Sequence, residues 1–358
     1  MKKLLALVLV FCLMGVMFGC AQSAVAATPT ATPEEAATSE AAPATAAPEA
    51  AEVTLDDYVY DGEALVIHLG DINSQFPLNL AYNLGILQKE FEGSNVTFTL
   101  DYFQNGPAIS EAFASGDLDF AEFGEQAAIS GISAGYGYQI IGRNCDTETM
   151  YPLVVSSDVQ SVDDLRGAKI AVSVGTSAHY LLLSYLESLG LTENDIEIVN
   201  TTDTVTLLTS GEVDGAADQL AKFNTLLEDG SAYVFADGTA SGTCQISAFV
   251  GRVAFCEQYP EITAKILRAV QAADDWMAAS EENQQQAFGM LADITQRDES
   301  WFSTMYGGEN FGVNLTEQDI TVLGQVVTFM ADRDLLPNPD TTLDDVLNLT
   351  YLELAGYR

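Results

Sequence analysis

Two short segments carry the residues best suited to grip a small molecule. Gly175-Thr176-Ser177 stands between an apolar run and a helical one. Glycine lets the backbone turn closely, and the first helical turn leaves N–H groups without intrahelical partners. With two added hydroxyls, the segment fits an anionic or strongly accepting group. The plainer use of Thr176 or Ser177 is as the N-cap of its own helix. His179 falls in the same first turn and either faces that space or packs on the neighbouring strand. Gly124-Glu125-Gln126 occupies the equivalent place earlier in the chain. Gln126 can donate or accept. Glu125 either complements the helix dipole or accepts from an ammonium or amide group of a ligand. Ser74-Gln75-Phe76 and Asn105-Gly106-Pro107 follow two further strand-like runs, and Asn105 also suits a turn. Phe76 is an apolar wall or a core residue. Arg143 is the nearest cation, with a surface ion pair as its plainer role. An anion would then be held mainly by N–H groups and hydroxyls.

Other chemistry finds little support. The 358 residues carry 13 Lys+Arg against 52 Asp+Glu, a net charge of −39, so nothing could neutralise a row of phosphates and nucleic acid is excluded as a partner. Two histidines, His68 and His179, leave little room for metal or imidazole acid–base chemistry, and no cofactor or metal is expected. There is no phosphate-binding glycine loop. Gly131-Ile132-Ser133-Ala134-Gly135 matches the G-x-S-x-G nucleophile pattern, but it follows a helical run and precedes a strand, the reverse of what a nucleophile elbow needs. Paired acids such as Asp163-Asp164 and Asp274-Asp275 lack calcium-loop spacing. No enzyme activity is expected.

The elements that position these residues alternate. Leu65 to Ile67 is a strand, Pro77 to Phe91 a helix, and Val96 to Tyr102 a strand with apolar residues on every second position. Pro107 opens a helix stopped by Gly116, and a strand, a helix and another strand take the chain to Ile141. This order predicts a mostly parallel sheet. A second, similar series begins at Leu153, and the chain from Pro260 is helical. Ile262, Ile266, Val270, Ala273 and Met277 form one stripe there. Two α/β lobes follow, the second inserted in the first: residues 55–153 and 251–358 in lobe 1 and 154–250 in lobe 2. Crossings are expected near Val154 to Ser157 and Ala248 to Gly251, with hinges near Val155 and Val250. Ligands of open α/β sheets bind outside the carboxyl ends of strands, so both lobes would line one cleft.

The N-terminus reads as an address. Lys2 and Lys3 precede the apolar run Leu4 to Phe18, which fits a secretory signal over residues 1–19. Met17-Phe18-Gly19-Cys20 resembles a lipobox with Cys20 as the lipidated residue; Ala24-Val25-Ala26 offers ordinary cleavage instead. Residues 20–54 are rich in Ala, Thr, Pro and Glu, with almost nothing to bury, and read as a disordered tether. The expected location is the extracytoplasmic face of the cell membrane through a lipid anchor, with a secreted or periplasmic protein as the alternative. Of the remaining cysteines, Cys145, Cys244 and Cys256, any two could bridge in an oxidising compartment.

Four stretches in order carry a family resemblance. Ser161-Val162-Asp163-Asp164-Leu165-Arg166-Gly167-Ala168-Lys169-Ile170-Ala171-Val172, followed by Gly175-Thr176-Ser177-Ala178-His179, resembles the opening of the second lobe in the substrate-binding proteins of nitrate, sulfonate and taurine ABC importers. Glu111 to Ala121, Ser210 to Ala216 and Tyr259-Pro260-Glu261 resemble three further family motifs. The resemblance implies a type II periplasmic-binding-protein fold and a small polar or anionic solute held between the lobes. It also implies delivery to an ABC permease and its ATPase, by a monomer. With the helix starts and strand ends read above, the expected ligand set is Ser74, Gln75, Asn105, Gly124, Glu125, Gln126, Gly175, Thr176, Ser177, His179 and Gln219. Many relatives carry tryptophan and proline where Asp218-Gln219-Leu220 stands here, which removes an aromatic wall. Two alternatives stay open. One is the same fold holding a pyrimidine-type vitamin precursor, stacked by Phe76, Tyr102, Phe103 or Tyr180. The other is a tethered sensor with no transport role.

Overall fold

The structure, a computed structural model, describes residues 54–72, 77–306 and 310–358. Cys20, the signal and most of the tether lie outside the described residues, as do Ser74, Gln75 and Phe76. Among the described residues no helix is long and apolar enough to cross a membrane.

The first lobe starts with β1 (Leu65–Asp71), α1 (Leu78–Asn83), α2 (Ile86–Glu90) and β2 (Val96–Tyr102). The expected single helix from Pro77 to Phe91 is two, because Gly85 between them adopts φ +73°, a left-handed conformation that ends one helix and caps the next. Then follow α3 (Gly106–Ser115), β3 (Phe120–Gly124), α4 (Glu125–Ser133) and β4 (Tyr138–Thr147). The second lobe comprises β5 (Leu153–Ser156), β6 (Lys169–Val172), α5 (Ser177–Ser188), β7 (Glu197–Asn200), α6 (Thr204–Ser210), β8 (Gly215–Ala217), α7 (Asn224–Glu228) and β9 (Ala232–Ala236). A short α8 (Gly238–Ser241) leads back to β10 (Gln245–Arg252). The chain then runs through α9 (Val253–Gln258), α10 (Pro260–Ala278), α11 (Glu281–Thr295), α12 (Glu299–Tyr306), β11 (Asn310–Phe311), α13 (Glu317–Asp332), α14 (Leu343–Val346) and α15 (Thr350–Ala355).

Two sheets result, of order β11-β4-β10-β3-β1-β2 and β7-β6-β8-β5-β9. In the first, β1 pairs in parallel with β2 and β3, as a βαβ order requires, and β10 inserts antiparallel between β3 and β4. The chain therefore leaves this sheet after Thr147 and re-enters it at Gln245. Residues 245–250, expected in the second lobe, belong to the first sheet, and the return crossing lies between Ala236 and Gln245 rather than at Ala248 to Gly251. Nor does Val155 or Val250 sit at a crossing: each is held in a strand ladder. Seven of the eight residues of β10 are buried, so an apolar run of this kind reads the same in either sheet until its pairing is known.

Each sheet is covered on both faces. Val154, Ala171 and Ala216 point to a small cluster with Leu208, Phe223 and Leu226. Their strand neighbours Leu153, Val155, Ile170 and Val172 point the other way, into the large core shared with α5. The long α10 buries the expected stripe of Ile262, Ile266, Val270, Ala273 and Met277.

Candidate functional site

At the end of β3 the chain turns at Gly124 straight into α4, and at the end of β6 it turns at Gly175 into α5. Gly175 has φ +82°, a conformation that β-carbon sterics make costly for other residues. Gly124 has φ −59° and needs no such freedom; its role is proximity, since a β-carbon there would lie 3.6 Å from Gln245 Nε2 and 3.8 Å from Ser177 Oγ.

Between these two turns sits Glu125. It is fully buried, and Ser177 Oγ donates to its Oε1 at 3.2 Å. That bond joins the start of α4 in one lobe to the start of α5 in the other. The Gln245 side chain and the Glu125 backbone N–H also donate to the carboxylate. Burial nevertheless dominates and pushes the Glu125 carboxyl up to about 7. Its Oε2 has no hydrogen-bond partner among the described residues, nor have Oε1 and Nε2 of Gln126, Oε1 of Gln245, Oγ of Ser247 or Oδ1 of Asn144. All of these side chains are at least nine-tenths buried. Buried polar groups are ordinarily paired, so this concentration makes the place the candidate site for a polar ligand or water.

The other expected residues separate into those that join this group and those that do not. Gln219 reaches the hydroxyl of Tyr151 just before β5, and the field of Glu125 acts on that tyrosine. Thr176 is exposed and donates to the Ser173 carbonyl at 2.7 Å, closing its own turn. Neither it nor Ser177 caps α5 with a side chain, so the helix start stays open. His179 is buried, accepts from Gly175 N–H through Nδ1 at 3.3 Å and stands edge-on to Phe329 with ring centres 5.8 Å apart. Burial pushes its pKa down, opposed by Glu193 and aided by Arg333, and the Gly175 N–H on Nδ1 lets the ring prop the Gly175 turn. Asn105 is exposed and caps α3, its Oδ1 accepting from Ala108 N–H at 3.0 Å. Arg143 is no surface pair. It is buried, bonded to Asp146 at 2.6 Å and to the Asn314 carbonyl at 2.7 Å, with Asp319 at 3.6 Å.

Residue chemistry alone missed the polar strand residues beneath the site. Glu122 lies inside β3, opposite Asp71 of β1. It takes the Leu78 N–H on both oxygens, at 3.1 and 3.2 Å, and the Asn144 amide at 3.2 Å. Burial first, then the neighbouring Asp71, raise its pKa well above the ordinary glutamate value. Asp71 in turn accepts from Asn79 at 2.7 Å. The signal was present: an acid within Phe120-Ala-Glu-Phe, and Gln245 and Ser247 on alternate positions ahead of the apolar run Ala248 to Val250.

With this geometry in hand, the sequence can be compared with known proteins. Residues 91–284 match the NMT1/THI5-like family, more than half of the chain. The chain belongs to that family. It is 24% identical over 293 residues to a protein of Bacillus subtilis strain 168 named for binding aliphatic sulfonates, over 81% of this chain and 87% of that one. It is 25% identical over 223 residues to the taurine-binding periplasmic protein of Escherichia coli strain K12, over 61% of this chain and 69% of that one. Its fold superposes on the periplasmic aliphatic sulphonate binding protein SsuA from Escherichia coli with TM-score 0.68 at 21% identity, covering 77% of this chain and 94% of that one. The type II periplasmic-binding-protein fold is thus that of this NMT1/THI5-like chain.

Within that fold the remaining motifs are structural. Ser133 accepts from Asn338 N–H at 2.9 Å and from the Thr341 hydroxyl at 2.8 Å, fastening the end of α4 to the loop before α14. Cys145, Cys244 and Cys256 are buried and form no disulfide among the described residues, and burial pushes the Cys244 and Cys256 thiols up to about 12.

Proposed function

We propose that the protein is the solute-binding component of an ABC importer, held on the extracytoplasmic face by a lipid on Cys20 and passing its solute to a permease and ATPase. Residues 1–19 would be the signal and 20–54 the tether. The solute is small and polar, of the taurine and sulfonate class, and bound without turnover. The observation that carries this reading is the Glu125–Ser177 pair between two helix starts, ringed by buried polar atoms without partners.

The polarity of those atoms narrows the class. Four of them only accept: Glu125 Oε2, Gln126 Oε1, Gln245 Oε1 and Asn144 Oδ1. Donors come from the open first turn of α5, Gln126 Nε2 and the hydroxyls. A zwitterion matches both sets, with its ammonium on Glu125 and its anionic head at α5. A bare anion would meet Glu125 at close range and bind only when that carboxyl is protonated. The pyrimidine alternative receives less support. Tyr180 is packed edge-on against Phe329 at 5.1 Å, and Tyr102 is exposed on an edge strand.

Calorimetry against taurine, alkanesulfonates, nitrate, amino acids and pyrimidines tests this. An aminosulfonate or amino-acid hit is expected, weakened by about 1–3 kcal/mol in Thr176→Ala/Ser177→Ala. A response confined to pyrimidines and indifferent to that double variant would refute the solute class. Release of the protein from the membrane by Cys20→Ser is the expected result for the anchor.

A further inference from the structure

One residue of β4 stands outside its strand ladder. Ser247 of β10 pairs with Cys145 and Ala248 with Arg143, so Asn144 is the extra residue of a β-bulge. A bulge re-aims the side chain it carries. The Asn144 side chain reaches past β10 to Glu122 of β3, and its Nδ2 donates to Glu122 Oε2 at 3.2 Å. Ser247 pairs on its other side with Gly124, two residues on from Glu122. Its side chain therefore stands on the sheet face where the Asn144–Glu122 bond lies.

That bond fixes polarity. With Nδ2 committed to Glu122, Asn144 has only Oδ1 left, a pure acceptor. This oxygen has no partner among the described residues, nor has Ser247 Oγ, which can donate. Asn144 and Ser247 are each 1% exposed. Glu122 Oε2 also takes the Leu78 N–H, at 3.1 Å, whereas Oε1 has that N–H alone, at 3.2 Å. Burial raises the pKa of this carboxyl, and a proton on it belongs on the less occupied Oε1. Oε2 then still accepts from Asn144, so the amide keeps its orientation in both charge states.

We propose that Asn144 Oδ1 and Ser247 Oγ form a subsite for a neutral group of the solute that both donates and accepts, a primary amide or a hydroxyl, and that Glu122 is the residue that positions Asn144. This rests on the solute-binding role proposed above and adds a second polar group to the ammonium assigned to Glu125. A carboxylate at the same place would set its oxygens against Asn144 Oδ1 and be rejected.

Calorimetry with two matched pairs, asparagine against aspartate and glutamine against glutamate, tests the subsite, with taurine as reference. In the wild type the amide member of at least one pair should bind about tenfold tighter or more. Asn144→Leu should reduce that preference to less than about threefold. Glu122→Met cannot hold the amide and should do the same, whereas Glu122→Gln still accepts through Oε1 and should keep the preference. Thermal unfolding establishes that each variant is folded; Asn144→Leu leaves the Glu122–Leu78 contact in place and decides alone if Glu122→Met is not. A wild type without amide preference, or a preference that survives Asn144→Leu, overturns the subsite. So does binding of taurine with none of the four amino acids. Preference lost equally in Glu122→Gln and Glu122→Met overturns the positioning role. If neither taurine nor any of the four binds, the solute class itself fails and the subsite falls with it.

Discussion

The two helix starts that face each other across the lobes are built in opposite ways. The start of α4 holds a fully buried carboxylate, Glu125, beside a glutamine with both amide atoms unpaired. The start of α5 holds a left-handed glycine, an exposed threonine and a serine, with no side-chain cap. One helix start has its positive end occupied by an internal anion; the other is left open. On the function proposed, a ligand between them would meet acceptors on the first lobe and donors on the second. The difference matters because either start alone reads as an anion site, and only the pair distinguishes a zwitterion from a simple anion.

Removing the internal anion should give the largest effect. The Glu125 carboxyl is held at about 7 in the fold against an ordinary 4.5. A raised carboxyl binds its proton more tightly folded than unfolded, so its contribution to stability is full below pH 4.5 and is lost as pH rises through 7. Holding the carboxyl at about 7 rather than 4.5 corresponds to about 3 kcal/mol at pH 8. Glu125→Gln keeps the shape and an acceptor for Ser177 but cannot ionise. It should raise stability at pH 8 by as much as about 3 kcal/mol, read by urea unfolding, and leave it nearly unchanged at pH 4. The same variant should weaken a zwitterionic ligand roughly 10–100-fold. Such opposition of stability and binding is expected of a residue retained for function. Unchanged stability at pH 8 would mean that Glu125 is not desolvated.

The pH dependence of binding should be smaller and decides the ligand's charge. If an ammonium rests on ionised Glu125, affinity falls by up to about tenfold per unit as pH drops below 7, because a proton must leave first. If the ligand is a bare anion, affinity falls instead as pH rises above 7. Glu122 and Asp274 are also raised by burial, so the slope is assigned by its disappearance in Glu125→Gln. A slope that persists in that variant would transfer the titration to Glu122 and its neighbours.

Much of this was legible in the sequence where the cause is local. Helical stripes, Gly stops and alternation in β2 place most elements, and a strand running straight into a helix exposes both helix starts. The parts not legible depend on pairing. β10 is apolar at most positions, so nothing local says which sheet it joins; its antiparallel insertion moves the return crossing ahead of Gln245. Gln245, Ser247 and Glu122 join the candidate site only because their strands lie side by side, bringing distant positions together. Gly85 was visible as a residue, but a single glycine inside a helical pattern is often tolerated, so its break of the helix was not evident. His179 was open between cleft and core, and its ring contact with Phe329 places it in the core.

The turn before α5 offers a third, intermediate test. Gly175→Val puts a β-branched residue at φ +82°, which should cost about 1–3 kcal/mol of stability and disorder the donor side of the pair. Gly124→Ala is its counterpart on the first lobe. That position has an ordinary φ and finds only contacts of 3.6 and 3.8 Å, so folding should change by less than about 1 kcal/mol. Thermal unfolding of the two variants should rank them clearly, and equal losses would mean that the α5 turn does not need its left-handed glycine.

The smallest effect separates the two hydroxyls that residue type alone could not distinguish. Ser177 is buried and donates across the lobes to Glu125, whereas Thr176 is exposed and donates to Ser173 within its own turn. In Ser177→Ala the carboxylate loses one of its donors, and the free protein should become measurably less closed, with ligand binding weaker by about 1–2 kcal/mol. Thr176→Ala removes a solvated turn bond, worth no more than about 0.5 kcal/mol at an exposed site. The double variant should therefore behave almost as Ser177→Ala alone. If calorimetry instead shows Thr176→Ala carrying most of the loss, the ligand's accepting head meets the exposed threonine directly. The donor side of the cleft then lies nearer the solvent than the Glu125–Ser177 bond.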